Sequence, residues 1–222
     1  MPGYRPILPC LGLLLVLISP VTRHGIAVAA ESAAEEDRSL TASATGRINH
    51  AGFRNRSHCT GFVVSGGHVV TAAHCLPGWE GESVHFLRGY DRGDLIAHIS
   101  APRAAWQTVQ GRDIAFLCNA DRGSPSFDFA TGPVRPGDRL DIPGYAIPRA
   151  HLLQHHRCQV WKLDSDGGLR VACPVRPGTS GAPVLVPSPD GDRVVGVMSA
   201  SSLTAARADM LTATMLASCA VP

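Results

Sequence analysis

The 222-residue chain has little that would tie it to a membrane: its leading apolar run, "ILPCLGLLLVLI", holds twelve residues. A membrane-spanning helix needs on the order of 20. Blocks of like charge, internal repeats and low-complexity tracts are also missing. A formal net charge of +2 is too small to argue for nucleic acid or an anionic lipid surface as partner. Long stretches of helical periodicity are scarce, which counts against a helix bundle.

The short apolar run has its own meaning. Arg5 precedes it, Ser19-Pro20 follows it, and small residues gather at Ala27-Val28-Ala29-Ala30 before the polar "ESAAEEDRS". That order is the pattern of a secretory signal peptide cleaved near Ala29 or Ala30. Residues 1–30 are therefore expected to be removed, leaving an exported protein, secreted or periplasmic, with no stable membrane anchor. Residues 31–44, with the acidic Glu35-Glu36-Asp37, are expected to be a flexible lead. Cys10 lies ahead of most of the apolar run, so it is not a lipid-attachment cysteine.

Six cysteines remain: Cys59, Cys75, Cys118, Cys158, Cys173 and Cys219. An even number in an exported chain suggests disulfides, although connectivity does not follow from sequence. Spacing favours Cys59 with Cys75 and Cys158 with Cys173. Each would close a loop of roughly 15 residues and stabilise by about 3 kcal/mol in the chain-entropy model. Cys118 and Cys219 are left to pair with each other or to remain buried thiols.

What fills the mature chain is a series of short apolar runs, among them "FVVS", "HVVTAA", "SVHFL", "IAFLC", "CQVWKL", "LRVAC" and "RVVGVMSA". Clusters of Gly, Pro, Asp and Ser divide them, a pattern that predicts an all-β sandwich or barrel. "SPDGDR" at 188–193 and "DSDGGLR" at 164–170 predict hairpins. "DRGSPSFDFATGPVRPGDR" at 121–139 reads as a linker, dividing the chain into units at 45–125 and 126–222. The tail "LTAARADMLTATMLASCAVP" permits a short helix or a strand.

Three residues stand out. His74 ends "TAAHC", Asp113 opens "DIAFL", and Ser180 lies in "GTSGAPV". Each alone has a bland reading: a core or surface histidine, a turn aspartate, a turn serine. Together they offer a base, an orienter and a nucleophile.

"CTGFVVSGGHVVTAAHC", "DIAFL" and "GTSGAPV", in that order, resemble the trypsin/chymotrypsin-type serine peptidases over roughly residues 45–200. The likeness is to the short exported bacterial branch and the glutamyl-endopeptidase-like enzymes. It implies two packed six-stranded antiparallel β-barrels with the site between them. It also implies a secreted serine endopeptidase. A serine hydroxyl is a poor nucleophile without a base in reach. His74 would take the Ser180 proton, Asp113 would fix the imidazole tautomer, and the N–H groups of Gly178 and Ser180 would form the oxyanion hole.

Two departures matter. Thr179 stands where the digestive branch has an aspartate that pairs with a freshly cut N-terminus, and no "IVGG"-like start occurs. Activation by trypsin-style cleavage is therefore not expected. In the specificity region, Pro174 occupies the position of the trypsin pocket floor, and Met198 the position of the glutamyl-branch histidine. Neither an Arg/Lys nor a strong Glu preference is supported; an apolar or small P1 residue is the expectation. Ser199 corresponds to the family serine that touches the catalytic aspartate. Ser199, Ala200 and Ser201 would form the edge that pairs with substrate main chain.

Other readings carry less. His151 and His155 in "HLLQHHRC" are four apart, but no carboxylate or cysteine frame accompanies them, so no metal site and no cofactor are expected. Trp79, Trp106 and Trp161 are scattered. The expected partner is a protein or peptide substrate, met by a monomer. The alternatives are a non-catalytic binding module on the same fold, or an esterase-like acyl hydrolase with the same triad.

Overall fold

In the computed structural model, the described residues are 35–50, 58–78, 80–200 and 206–219. The expected signal peptide (residues 1–30), Trp79 and Ser201 lie outside them. The chain is almost wholly β, in two units. The first is a curled seven-stranded sheet. Its strands are β1 (Thr45–His50), β2 (His58–Val64), β3 (His68–Thr71), β4 (Ser83–Arg88), β5 (Ala97–Pro102), β6 (Gln107–Thr108) and β7 (Ala115–Leu117). Their order is β5-β4-β1-β2-β3-β7-β6, with all pairs antiparallel.

The second unit is a closed six-stranded barrel. It comprises β8 (Arg139–Gly144), β9 (Gln154–Leu163), β10 (Gly168–Val171), β11 (Pro183–Val186), β12 (Arg193–Ala200) and β13 (Ala206–Met210). The order around the barrel is β10-β13-β12-β11-β8-β9. Fold class is thus as the sequence predicts, a chymotrypsin-like pair of β units. The first differs in detail, because the two-residue β6 adds a seventh strand beyond β7. Both predicted hairpin turns form, with Gly191 N–H bonded to the Ser188 carbonyl and Gly167 N–H to the Asp164 carbonyl.

One apolar cluster belongs to both units. Phe62, Val70 and Ile114 from the first pack with Leu185, Val194 and Val197 from the second. Burial of such side chains contributes about 1.5–3 kcal/mol each, so the two units are joined by a true core. The Pro/Gly-rich stretch 121–139 takes part in it. Phe127 is fully buried in that cluster and bridges to Val64, while Phe129 bridges to Val194. The stretch runs from β7 of the first unit to β8 of the second, and its two phenylalanines anchor it in the core they share.

The ends of the chain also differ from the tail-like expectations. Residues 35–44 are helical, with Thr41 and Ala44 buried and Leu40 packed on the shared core. Asp37 accepts a hydrogen bond from the Asp192 N–H of the second unit at 3.2 Å. The ambiguous tail divides in two: Ala206–Met210 closes the barrel, and Ala213–Cys219 forms a 3-10 helix.

Three disulfides staple this frame: Cys59–Cys75, Cys158–Cys173 and Cys118–Cys219. The last pins the C-terminal 3-10 helix beside β7 and resolves the pairing that spacing left open. Three such bonds suit an extracellular or periplasmic compartment. Among the described residues no helix is long and apolar enough to cross a membrane.

Candidate active site

The turn after β3 carries His74 in a short 3-10 helix, Ala73–Cys75. The disulfide at Cys75 ties that turn to Cys59 on β2. Asp113 precedes β7, the strand paired with β3, and this brings it beneath His74. His74 Nδ1 donates to Asp113 Oδ2 at 2.6 Å, and the His74 backbone N–H donates to Oδ1 at 2.9 Å. Both carboxylate oxygens thus grip one residue. With its proton on Nδ1, the ring keeps the Nε2 lone pair for the opposite side.

The second unit holds Asp113 from behind. Ser199 Oγ donates to Oδ2 at 2.7 Å, and the Asp113 N–H donates to Oδ2 of the buried Asp209 at 2.8 Å. The hydrogen bond to Asp113 raises the His74 pKa above its ordinary value against the opposing effect of burial. At Asp113 burial pushes the pKa up, but hydrogen bonds from His74 and Ser199 outweigh it and the net direction is down. The pair is therefore set as a carboxylate under a ring that accepts a proton readily.

Ser180 reaches the same wall from the other side. Its carbonyl accepts the Thr60 N–H at 2.8 Å, and Thr60 adjoins the disulfide cysteine Cys59. The Gly181 N–H bonds to the Met198 carbonyl at 2.7 Å. Gly181 has φ +79°, and a Cβ there would collide with the Thr60 carbonyl and the Thr71 hydroxyl. Glycine is thus required where the serine loop presses on the first unit. Among the described residues Ser180 Oγ makes no hydrogen bond to His74, whose Nε2 lies 3.8 Å from Cys75 Sγ. Catalytic hydrogen bonds are often long before substrate binds.

The loop ahead of Ser180 is braced by residues with no local sequence signal. Thr60, fully buried, donates its hydroxyl to the Gly178 carbonyl at 2.8 Å and accepts the Tyr145 N–H at 3.0 Å. His58 Nε2 donates to the Tyr145 carbonyl at 2.6 Å, and burial lowers its pKa, so it stays neutral. Gly178 has φ +96°, and a Cβ there would strike that carbonyl and the His58 ring. Tyr145 is fixed in turn by its hydroxyl on the Tyr90 carbonyl at 2.8 Å, and the Arg47 guanidinium lies 5.0 Å over the Tyr90 ring. Thr179 is buried and bonds the Arg176 carbonyl at 2.9 Å, so its hydroxyl is satisfied within the loop. Among the described residues the N–H groups of Gly178 and Ser180 donate to no protein acceptor.

The remaining expected residues are placed as follows. Pro174 is exposed. Met198 is fully buried in the second-barrel core, so its side chain belongs to the packing behind the site rather than to an open surface. Ala200 ends β12 opposite Arg207, after an irregularity in the pairing with β13. The metal alternatives do not come together. His151 bonds the Tyr90 hydroxyl, whereas His155 bonds Asp141. Cys59, His74 and Cys75 are close together, but both sulfurs are committed to a disulfide. Clefts of about 880 and 840 Å³ open elsewhere, and neither is lined by His74, Asp113 or Ser180.

Comparison with known proteins bears on the family and the fold. The trypsin-like peptidase domain matches residues 59–197. Among solved structures, a thermostable serine protease, AL20, from an extremophilic microorganism is 18% identical with a TM-score of 0.60, covering 77% of this chain and 92% of that one. The protease Anisep from Arthrobacter nicotinovorans is 18% identical with a TM-score of 0.63, covering 80% and 95%. A serine protease of human pathogenic astrovirus is 20% identical with a TM-score of 0.57, covering 78% and 92%. At these identities the likeness is one of fold. No curated protein matches significantly in sequence.

Proposed function

The chain belongs to the trypsin-like peptidase family, and from that membership we propose that it is an exported serine endopeptidase acting through Ser180, His74 and Asp113. The observation that carries this reading is the double grip of Asp113 on His74, on the wall to which the Ser180 carbonyl is bonded. Ser180 Oγ attacks the scissile carbonyl carbon as its proton passes to His74 Nε2. The oxyanion is held by the N–H groups of Gly178 and Ser180. His74 then gives the proton to the leaving amine, the C–N bond breaks, and an acyl-enzyme ester remains on Ser180. Water, deprotonated by His74, hydrolyses it. One oxyanion donor contributes about 3–4 kcal/mol to such a step.

The mature enzyme needs no trypsin-style activating cut; signal removal, with or without trimming of residues 31–44, is enough. Supporting this, Thr179 has its hydroxyl bonded inside the loop and carries no charge to await a new N-terminus. The Ser199–Ser201 edge receives substrate main chain, with an apolar or small P1 residue, and the enzyme works as a monomer. The rival reading, a binding module, draws on the missing Ser180–His74 hydrogen bond. Incubating signal-free protein with an unfolded protein, beside Ser180→Ala, separates the readings. New peptide termini from the wild type alone support the endopeptidase. Ester turnover without peptide cleavage would make it an acyl hydrolase, and neither activity in a folded sample would make it a binding module.

A further inference from the structure

The far edge of the first sheet carries a second group of imidazoles. In the sheet order β4 and β5 lie on the opposite side of β1 from β3, after which His74 stands. Register places Asn49 of β1 opposite His85 of β4, and His98 of β5 opposite Leu87, one diagonal step from His85. Strand alternation then puts Asn49, His85 and His98 on one face, with Ile48, Phe86 and Ile99 in the core on the other. His85 Nδ1 lies 2.9 Å from His98 Nε2. Asn49 is only 6% exposed, yet among the described residues its Oδ1 has no hydrogen-bond partner. A buried, unpaired amide oxygen costs about 1–3 kcal/mol, so it calls for an explanation.

We propose that His85 Nδ1 and His98 Nε2, with Asn49 Oδ1 as a third donor, bind a divalent transition-metal ion of the Cu²⁺ type. Imidazole nitrogens bind such ions at about 2.0–2.1 Å. Two of them at a right angle stand about 2.9 Å apart, whereas a tetrahedral angle separates them by about 3.4 Å. The two nitrogens are hydrogen-bonded to each other at 2.9 Å, a spacing that neighbouring positions of a square plane can take up with little movement, and nitrogen and oxygen donors give Cu²⁺ and Ni²⁺ that arrangement. Cu²⁺ also stands highest in the general affinity order for such donors.

In the metal-free pair one of the two facing nitrogens carries the shared proton. On binding, that proton moves through solvent to the far nitrogen of the same ring. Both lone pairs then face the ion, and neither ring changes charge. Burial, with His98 and His50 nearby, holds the His85 pKa below its ordinary value and so favours the neutral ligand form. The ion would clamp the edge strand β5 to β4 and stabilise the fold through mass action. This inference is independent of the peptidase reading.

The test is a Cu²⁺ titration of the intact mature protein, metal alone, followed by calorimetry and electron paramagnetic resonance, beside His98→Ala and His98→Gln. His98 is exposed, so both variants should fold with the wild-type melting temperature in the absence of metal. The expected result is one equivalent bound with nitrogen hyperfine splitting and a raised Tm. Affinity should weaken roughly tenfold or more in both variants. Equal affinity and an unchanged spectrum in wild type and variants would overturn the site.

Discussion

Asp113 accepts three hydrogen bonds, two from His74 and one from Ser199, and this gives the proposed triad its pH behaviour. The proposed mechanism requires neutral His74. Because the bond to Asp113 raises the His74 pKa above 6.5, kcat/KM should fall as pH drops through a midpoint above 6.5. Asp113→Asn should move that midpoint down and lower kcat by about 10⁴-fold, as read from a pH–rate profile. A midpoint that stays in place would separate Asp113 from the base. Thr60 acts one step further back. Thr60→Val keeps its shape but orphans the Gly178 carbonyl and the Tyr145 N–H. Its kcat should fall about 10–100-fold, or about 1.4–2.7 kcal/mol, with KM little changed. The candidate residues His74, Asp113 and Ser180 can be picked out in the sequence because each sits in a short local motif. Thr60, His58 and Asp209 are not, because their roles are contacts across the inter-unit boundary and leave no local pattern.

At the scale of elements, strands with a clear apolar run are readable, and the features that are not readable have physical causes. Stretch 121–139 has a linker's composition and stays mostly exposed, yet Phe127 is buried in the shared core and Phe129 packs against it. Residues 35–44 read as a tail because their partners, the shared core and Asp192, are distant in sequence. Pairing of Cys118 with Cys219 spans a sequence separation of 101 and was equally out of reach of local spacing. By loop-closure entropy this bridge stabilises by about 4.7 kcal/mol, against about 3 kcal/mol for a short loop. Replacing Cys118 and Cys219 with serine should therefore lower the urea midpoint further than replacing Cys158 and Cys173. The reverse order would show that native packing around the bridges, rather than chain entropy, sets their worth.

For the whole molecule, the shared core makes the two units one cooperative structure, and the N-terminal helix adds a pH-sensitive clasp across it. Burial, and then the neighbouring Asp37 and Asp141 carboxylates, push the Asp192 pKa from 3.8 up to about 6. An acid raised on folding favours the native state at low pH. Its contribution is full below 3.8 and is lost as pH rises through about 6. Asp192→Asn should thus raise the Tm relative to wild type at pH above about 6, with the gap closing at pH below about 4. A Tm difference that does not vary with pH would rule out this clasp. The central claim is that Ser180 is an activated nucleophile, and a fluorophosphonate reagent with intact-mass and peptide mapping tests it most directly. One adduct per chain on Ser180, absent from Ser180→Ala and strongly slowed in His74→Ala, is the predicted result. No adduct on the folded protein, or one that forms equally fast in His74→Ala, would contradict it.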